Sequence, residues 1–177
     1  MDEARPRSVR RTPTSALLIS AAFAAVQALI FVMVVPMTTL LAVSSPPAYA
    51  LVAAVRTAMP LLARVVTRTP GMATFTAVVP GLLTSVVSPI GLLAAVPMVC
   101  AALVLDLVLP LQRGRAASAR RILLAGAAAG IVLFVVALPV FSPEHLVPGV
   151  LIATLIARIA GELAVAGGVI GVRRLLV

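Results

Sequence analysis

The chain reads as long apolar runs separated by short polar breaks. The runs fall at 14–35, 47–66, 70–87, 89–109, 118–140 and 146–172, each close to the roughly 20 residues a helix needs to cross a bilayer. Several breaks carry their own punctuation. Thr69-Pro70-Gly71 and Ser88-Pro89 put proline in a first helical turn, where its missing N–H costs little. The pattern predicts an all-α integral membrane protein: a compact bundle of six transmembrane helices, some kinked, over residues 14–177. Residues 1–13 read as a short, basic, disordered cytosolic tail.

Composition agrees with this pattern. Residues are 62% hydrophobic with a mean hydropathy of +1.21, where soluble domains run about 45–50% apolar. Only 11% are charged, which leaves a soluble fold almost nothing with which to cover its surface. A length of 177 residues holds one six-span domain and no sizeable soluble one.

The net charge of +9 is carried entirely by arginine. Such a balance often marks a nucleic-acid binder, but these arginines sit in clusters between apolar runs and form no stripe with interleaved aromatics. Arg5, Arg7, Arg10 and Arg11 precede the first span, and Arg64 and Arg68 flank the second connection. Arg113, Arg115, Arg120 and Arg121 fill the fourth connection, and Arg173 and Arg174 follow the last span. The first, third and fifth connections hold none. By the positive-inside rule this alternation places both termini in the cytosol of a multi-pass plasma-membrane protein. Ala48-Tyr49-Ala50 has the form of a signal-peptidase site, yet it lies well past an apolar stretch longer than the roughly 7–15 residues of a signal core. An uncleaved first span is expected.

The arginine-free connections differ in kind. Residues 36–46 are expected to form a loop, and the segment after the fifth span carries Glu144 and His145. Such loops either cap a cavity or merely join helices. Small residues recur at four-residue spacing: Ala21 with Ala25, Ala24 with Ala28, Ala50 with Ala54 and Ala58, Gly126 with Gly130, Ala160 with Ala164 and Gly168, and Gly167 with Gly171. Each set makes a stripe where another helix can approach closely. Pro60, Pro80, Pro97 and Pro139 fall inside predicted spans, where proline removes a helix hydrogen bond and bends the helix.

Arg56, Asp106, Arg158 and Glu162 are the ionisable residues within spans. A charge at membrane depth costs at least about 2.5–3.5 kcal/mol and persists where it is paired or lines a wet cavity. Arg158 and Glu162, four apart on one helix, can meet as a self-neutralising pair. Asp106 lies near a cytosolic span end and is expected to snorkel and pair with a loop arginine. Arg56, halfway along the second span, has no evident protein partner and is the leading candidate for a ligand contact. No P-loop, H-E-x-x-H or G-x-S-x-G motif is present. His145 is the sole histidine and Cys100 the sole cysteine, so no enzyme activity, cofactor or metal is expected.

At this point the chain resembles the substrate-binding S components of energy-coupling factor (ECF) transporters, with the thiamine and hydroxymethylpyrimidine subgroup the nearest match. The resemblance covers roughly residues 14–172. It rests on size, six spans with both ends inside, and three local matches. These are Thr69-Pro70-Gly71-Met72-Ala73 after an arginine-ended second span, Ser88-Pro89-Ile90-Gly91 with Asp106 near that span's end, and Ile156-Ala157-Arg158-Ile159-Ala160-Gly161. It implies a non-enzymatic component of an ABC importer that binds a small vitamin or precursor near the outer face. Its implied partners are a membrane coupling subunit and two ATPase subunits, met through Ala21 and Ala25 or Ala24 and Ala28 on the first helix. Tyr49, Arg56, Glu144, His145, Arg158 and Glu162 are the candidate ligand contacts. The chain departs from that subgroup in having no tryptophan and one tyrosine, and no acid in the third span, so the resemblance does not name the ligand. Two other readings stay open: a small polytopic scaffold or assembly protein, and a permease half that dimerises.

Overall fold

In hydrocarbon every backbone N–H and C=O must find a partner within the protein, and a helix provides one within a single segment. The computed structural model describes residues 14–87, 95–141 and 146–176, and among the described residues it is helical throughout, with no strand. Its helices are α1 (Thr14–Ser44), α2 (Pro46–Ala53), α3 (Ala58–Thr67), α4 (Met72–Val87), α5 (Val96–Val108), α6 (Ala119–Ala137) and α7 (Pro148–Leu176). A three-ten turn, Ala54–Thr57, joins α2 to α3, so the seven helices make six rods. Four rods are long and apolar enough to cross a membrane: α1, α2 with α3, α6 and α7. α4 and α5 are shorter apolar helices. By length and composition this is a helical membrane protein.

The sorting of side chains agrees. Leu18, Leu29, Val32, Met33, Leu40 and Leu107 are exposed, whereas Gln27, Thr57, Arg64, Asp106, Arg158 and Glu162 are buried. A water-soluble fold sorts these the other way. The core is built largely of alanine at the helix contacts, with Ala73, Ala77, Ala101, Ala125, Ala129 and Ala166 packed around Leu61, Leu105 and Ile122. Small side chains let backbones come close, which is how helices gain contact in lipid.

The rods close into a ring. α1 packs on α4, α4 on α5, α5 on α6, α6 on α7, and α7 on α2. The broken α2–α3 rod closes the ring against α1 and also reaches α4 and α5. On α6, Gly126 and Gly130 form the contact with α7: a Cβ at Gly126 would sit 3.0 Å from the Glu162 carbonyl oxygen, and one at Gly130 3.3 Å from Ile159 Cα. This stripe is therefore an internal packing face. Ala50 and Ala54 of the second stripe are buried as well. On α7, by contrast, Ala160, Ala164, Gly167, Gly168 and Gly171 are exposed.

One end of the bundle collects the arginines. Arg64 Nε lies 2.9 Å from Asp106 Oδ1, and Arg64 Nη2 donates to the Pro110 carbonyl at 2.6 Å. Asp106 Oδ2 accepts from the Thr74 N–H at 2.9 Å and the Thr74 hydroxyl at 2.7 Å. Gly114 N–H donates to the Arg68 carbonyl at 3.0 Å, and Arg173 donates to the Ala117 carbonyl. These bonds tie the α3–α4 corner, the α5–α6 connection and the end of α7 together. Three of the arginine clusters thus share one end; the fourth falls in residues 1–13, outside the described residues.

Several expectations are corrected. The first span does not stop at residue 35, and residues 36–46 are no loop: α1 continues through Pro36 to Ser44. The Thr38 hydroxyl bonds back to the Val34 and Val35 carbonyls at 3.1 and 3.0 Å, and that of Thr39 to Val35 at 2.9 Å. These are the side-chain-to-backbone bonds that Ser and Thr make within helices; the carbonyl that loses its N–H to Pro36 is that of Val32, one turn earlier. The corner to α2 shrinks to Ser45, whose backbone is extended. Asp106 does not snorkel; it is buried against Arg64 and Thr74. Pro97 lies in the first turn of α5 and Pro139 in a three-ten turn closing α6, so neither interrupts a described helix. Pro80 does lie inside α4.

Candidate polar site inside the bundle

The site begins with the break in the second rod. Pro60 has no N–H to offer the Arg56 carbonyl one turn earlier, and the helix tightens to three-ten geometry over Ala54–Thr57. The break turns Arg56 towards α1. Its Nη2 donates to the Thr38 hydroxyl, and its guanidinium stands 4.8 Å from the Phe31 ring centroid, within cation–π range. The Arg56 Nε has no hydrogen-bond partner among the described residues.

α7 supplies the other side. Gly161 faces α2 so closely that a Cβ there would meet Ala54 Cβ at 2.9 Å and the Leu51 carbonyl oxygen at 3.3 Å. This approach brings Arg158 and Glu162 against the broken rod. Arg158 Nη1 donates to the Ala50 carbonyl at 3.0 Å. Glu162 Oε2 accepts from the Thr57 hydroxyl at 2.5 Å, and its Cγ packs over Gly130. The expected Arg158–Glu162 pair does not form: among the described residues the one ion pair is Arg64–Asp106. Each side chain of the would-be pair bonds α2 or its three-ten extension instead of its neighbour.

Arg56 and Arg158 each lie ten residues from the start of their rod, about 15 Å along a helix. They line one internal cavity of about 40 Å³, together with Phe31, Tyr49, Thr57, Met98 and Leu133. That is room for roughly three waters at about 10–15 Å³ each. A smaller hollow of about 10 Å³ lies alongside, sharing Tyr49, Leu133 and Arg158 and adding Phe134, Phe141 and Thr154. Glu162 is not in the wall of either. The polar groups of the larger cavity are two guanidinium groups and two hydroxyls, an arrangement that favours negative charge.

No protein-family model, curated protein or solved structure matches this chain. The site therefore rests on its own geometry. That geometry brings Tyr49, Arg56 and Arg158 together around one cavity and puts Glu162 behind Thr57. Glu144 and His145 lie outside the described residues. On α1, Ala21 and Ala25 are exposed and Ala28 is half-buried, while Ala24 is fully buried in the bundle. Ala24 is thus a packing residue, and the exposed small pair is Ala21 with Ala25. Phe31, Thr38 and Thr57 were not among the expected site residues, and neither was Gln27. Gln27 is fully buried on α1, and its amide has no partner among the described residues. As the one amide inside the first apolar run, it carried the same signal as the charges, a polar group at membrane depth.

Proposed function

We propose that this protein is the substrate-binding membrane component of an ECF-type importer, seating a small molecule at the cavity between Arg56 and Arg158. The supporting observation is the charge of that wall: two guanidinium groups, Arg158 buried and Arg56 half-buried, converge on one cavity, and no carboxylate lines it among the described residues. Ionisable groups at membrane depth mark ligand paths unless the protein neutralises them, and Arg56 has no acidic partner among the described residues. In this reading the arginine-rich end faces the cytosol, all six rods span the plasma membrane, and ligand enters from the opposite end. The cavity is smaller than a whole ligand of vitamin size, so binding separates the helices around Tyr49 and Phe141. The exposed Ala21–Ala25 face of α1 meets the coupling subunit, which works with two ATPases.

The test is mild solubilisation of a tagged chain from its native membrane, followed by mass spectrometry of co-purifying proteins and small molecules. A membrane coupling subunit, two ATPases and one enriched small molecule are expected. Recovery of the chain free of all of these would remove the importer reading. A second reading, a permease half that dimerises, draws on the exposed Ala160, Ala164, Gly167, Gly168 and Gly171 of α7. Cysteines placed at Ala164 and Gly168 would cross-link between two copies under that reading and stay monomeric under the first.

A further inference from the structure

We infer that the group seated between Arg56 and Arg158 is a carboxylate, on a small molecule whose apolar part extends along Tyr49, Phe134 and Phe141. This rests on the ligand-binding reading above and names the class of ligand. Three observations converge on it. The cluster formally holds two arginines and one glutamate, Arg158 and Glu162 buried and Arg56 half-buried, which leaves a single net positive charge inside an apolar bundle. One negative group on the ligand neutralises it.

The second observation is steric. A cavity of about 40 Å³ takes a group the size of a few waters, which suits a carboxylate. The third is the neighbouring hollow of about 10 Å³, which meets the cavity at Tyr49, Leu133 and Arg158 and is lined otherwise by Phe134, Phe141, Thr154 and two alanines. An anionic head in the first space therefore directs an apolar body towards the second, which widens as the helices around Tyr49 and Phe141 separate. Both guanidinium groups stand in the wall of the cavity, with no carboxylate beside them there among the described residues. Guanidinium donors match a carboxylate in two-point geometry.

Equilibrium dialysis tests this, using the full chain in nanodiscs with empty nanodiscs as blank. The probes are radiolabelled benzoate and hexanoate and their primary amides, which keep shape and lose charge. Saturable binding of at least one acid is expected, with its amide weaker by about tenfold or more, the size of a charge-assisted hydrogen bond. Arg56→Gln should lower acid binding to the level of the amide, and Arg56→Lys should restore part of it. Should Arg56→Gln fail to fold, the acid-to-amide ratio on the native chain still decides. Oleate held in the nanodisc separates two sources of a carboxylate. If oleate displaces the bound acid, the natural ligand is a lipid; if only water-soluble acids displace it, the ligand is a solute. An amide that binds as tightly as its acid overturns the carboxylate and leaves the ligand-binding reading standing. No saturable binding of any probe overturns both.

Discussion

Thr57 Oγ1 stands 2.5 Å from Glu162 Oε2 and 2.8 Å from the Ala54 carbonyl oxygen, so one hydroxyl joins the break in the second rod to a buried carboxylate on α7. Its single proton serves one acceptor at a time. The position needs a hydroxyl in particular, because Thr57 is the one hydrogen-bond partner of the Glu162 carboxylate among the described residues; Oε1 has none.

Thr57→Val keeps the shape and removes that donor. We expect a loss of about 1–3 kcal/mol of stability, the usual cost of stranding a buried polar group. Thr57→Ser should stay near the native value. Unfolding by SDS titration in mixed micelles reads the difference; equal effects of Val and Ser would mean that the bond contributes nothing.

At the arginine-rich end, Asp106 holds Arg64 and the first turn of α4 together. Asp106→Ala leaves Arg64 buried and unpaired, and is expected to cost about 3–5 kcal/mol. The double variant Arg64→Met with Asp106→Leu removes both charges and should recover much of that loss. The same titration reads both. A double variant no better than Asp106→Ala would show that Arg64 is held chiefly by other contacts.

The α6–α7 contact gives a positional contrast. Gly126→Val drives a side chain into the Glu162 backbone, where a Cβ already sits at 3.0 Å. Overpacking of this kind costs typically 1–3 kcal/mol. Gly167→Ala and Gly168→Ala meet nothing within 4 Å and should leave the melting temperature in place, or raise it slightly by helix propensity. Parallel melting curves in detergent would expose a failure in either direction.

On α1 two neighbouring alanines should behave oppositely. Ala24→Leu forces a larger side chain into a fully buried position and is expected to lower stability and yield. Ala25→Leu points outward and should leave the isolated protein intact. In the importer reading, uptake falls in Ala25→Leu while ligand binding survives. Unimpaired uptake would move the docking face elsewhere.

Orientation is tested separately. In the importer reading, a reporter active only outside the cytosol, fused after Val177, should stay silent, since that reading puts the arginine-rich end inside. A bright fusion would invert the bundle.

The existence of the helices was legible because apolar length in lipid has few alternatives. The ends were less so. Pro36 looked like a stop, yet α1 runs on through it to Ser44, as membrane helices tolerate. Arg56, Arg158 and Glu162 were legible as charges out of place, yet their partners were not. Spacing of four on one helix brings Arg158 and Glu162 within reach of each other, whereas the close passage at Gly161 gives each a partner on the second rod. Tertiary approach decided between two local possibilities, and no single-helix periodicity carries that information. The same holds for Ala24 and Ala25: both belong to small-residue pairs, and only the packing of α1 on the rest of the bundle tells which one is buried.

The uninterrupted run of α1 has a consequence for the surrounding lipid. From Leu17 to Val43 its outward side chains are apolar but for Thr39, whose hydroxyl turns back to the Val35 carbonyl, a wall of about 39 Å at 1.5 Å per residue. Beyond the exposed Arg120 and Arg121 of its first turn, α6 and the three-ten turn that closes it are apolar from Ile122 to Pro139, a wall of about 28 Å, close to the roughly 30 Å of an average hydrocarbon core. Lipid beside α6 is matched, while lipid beside α1 must stretch, or the helix must lean, to cover its extra height. The protein therefore imposes different thicknesses on the bilayer around its rim, and thicker membranes relieve the strain on the α1 side.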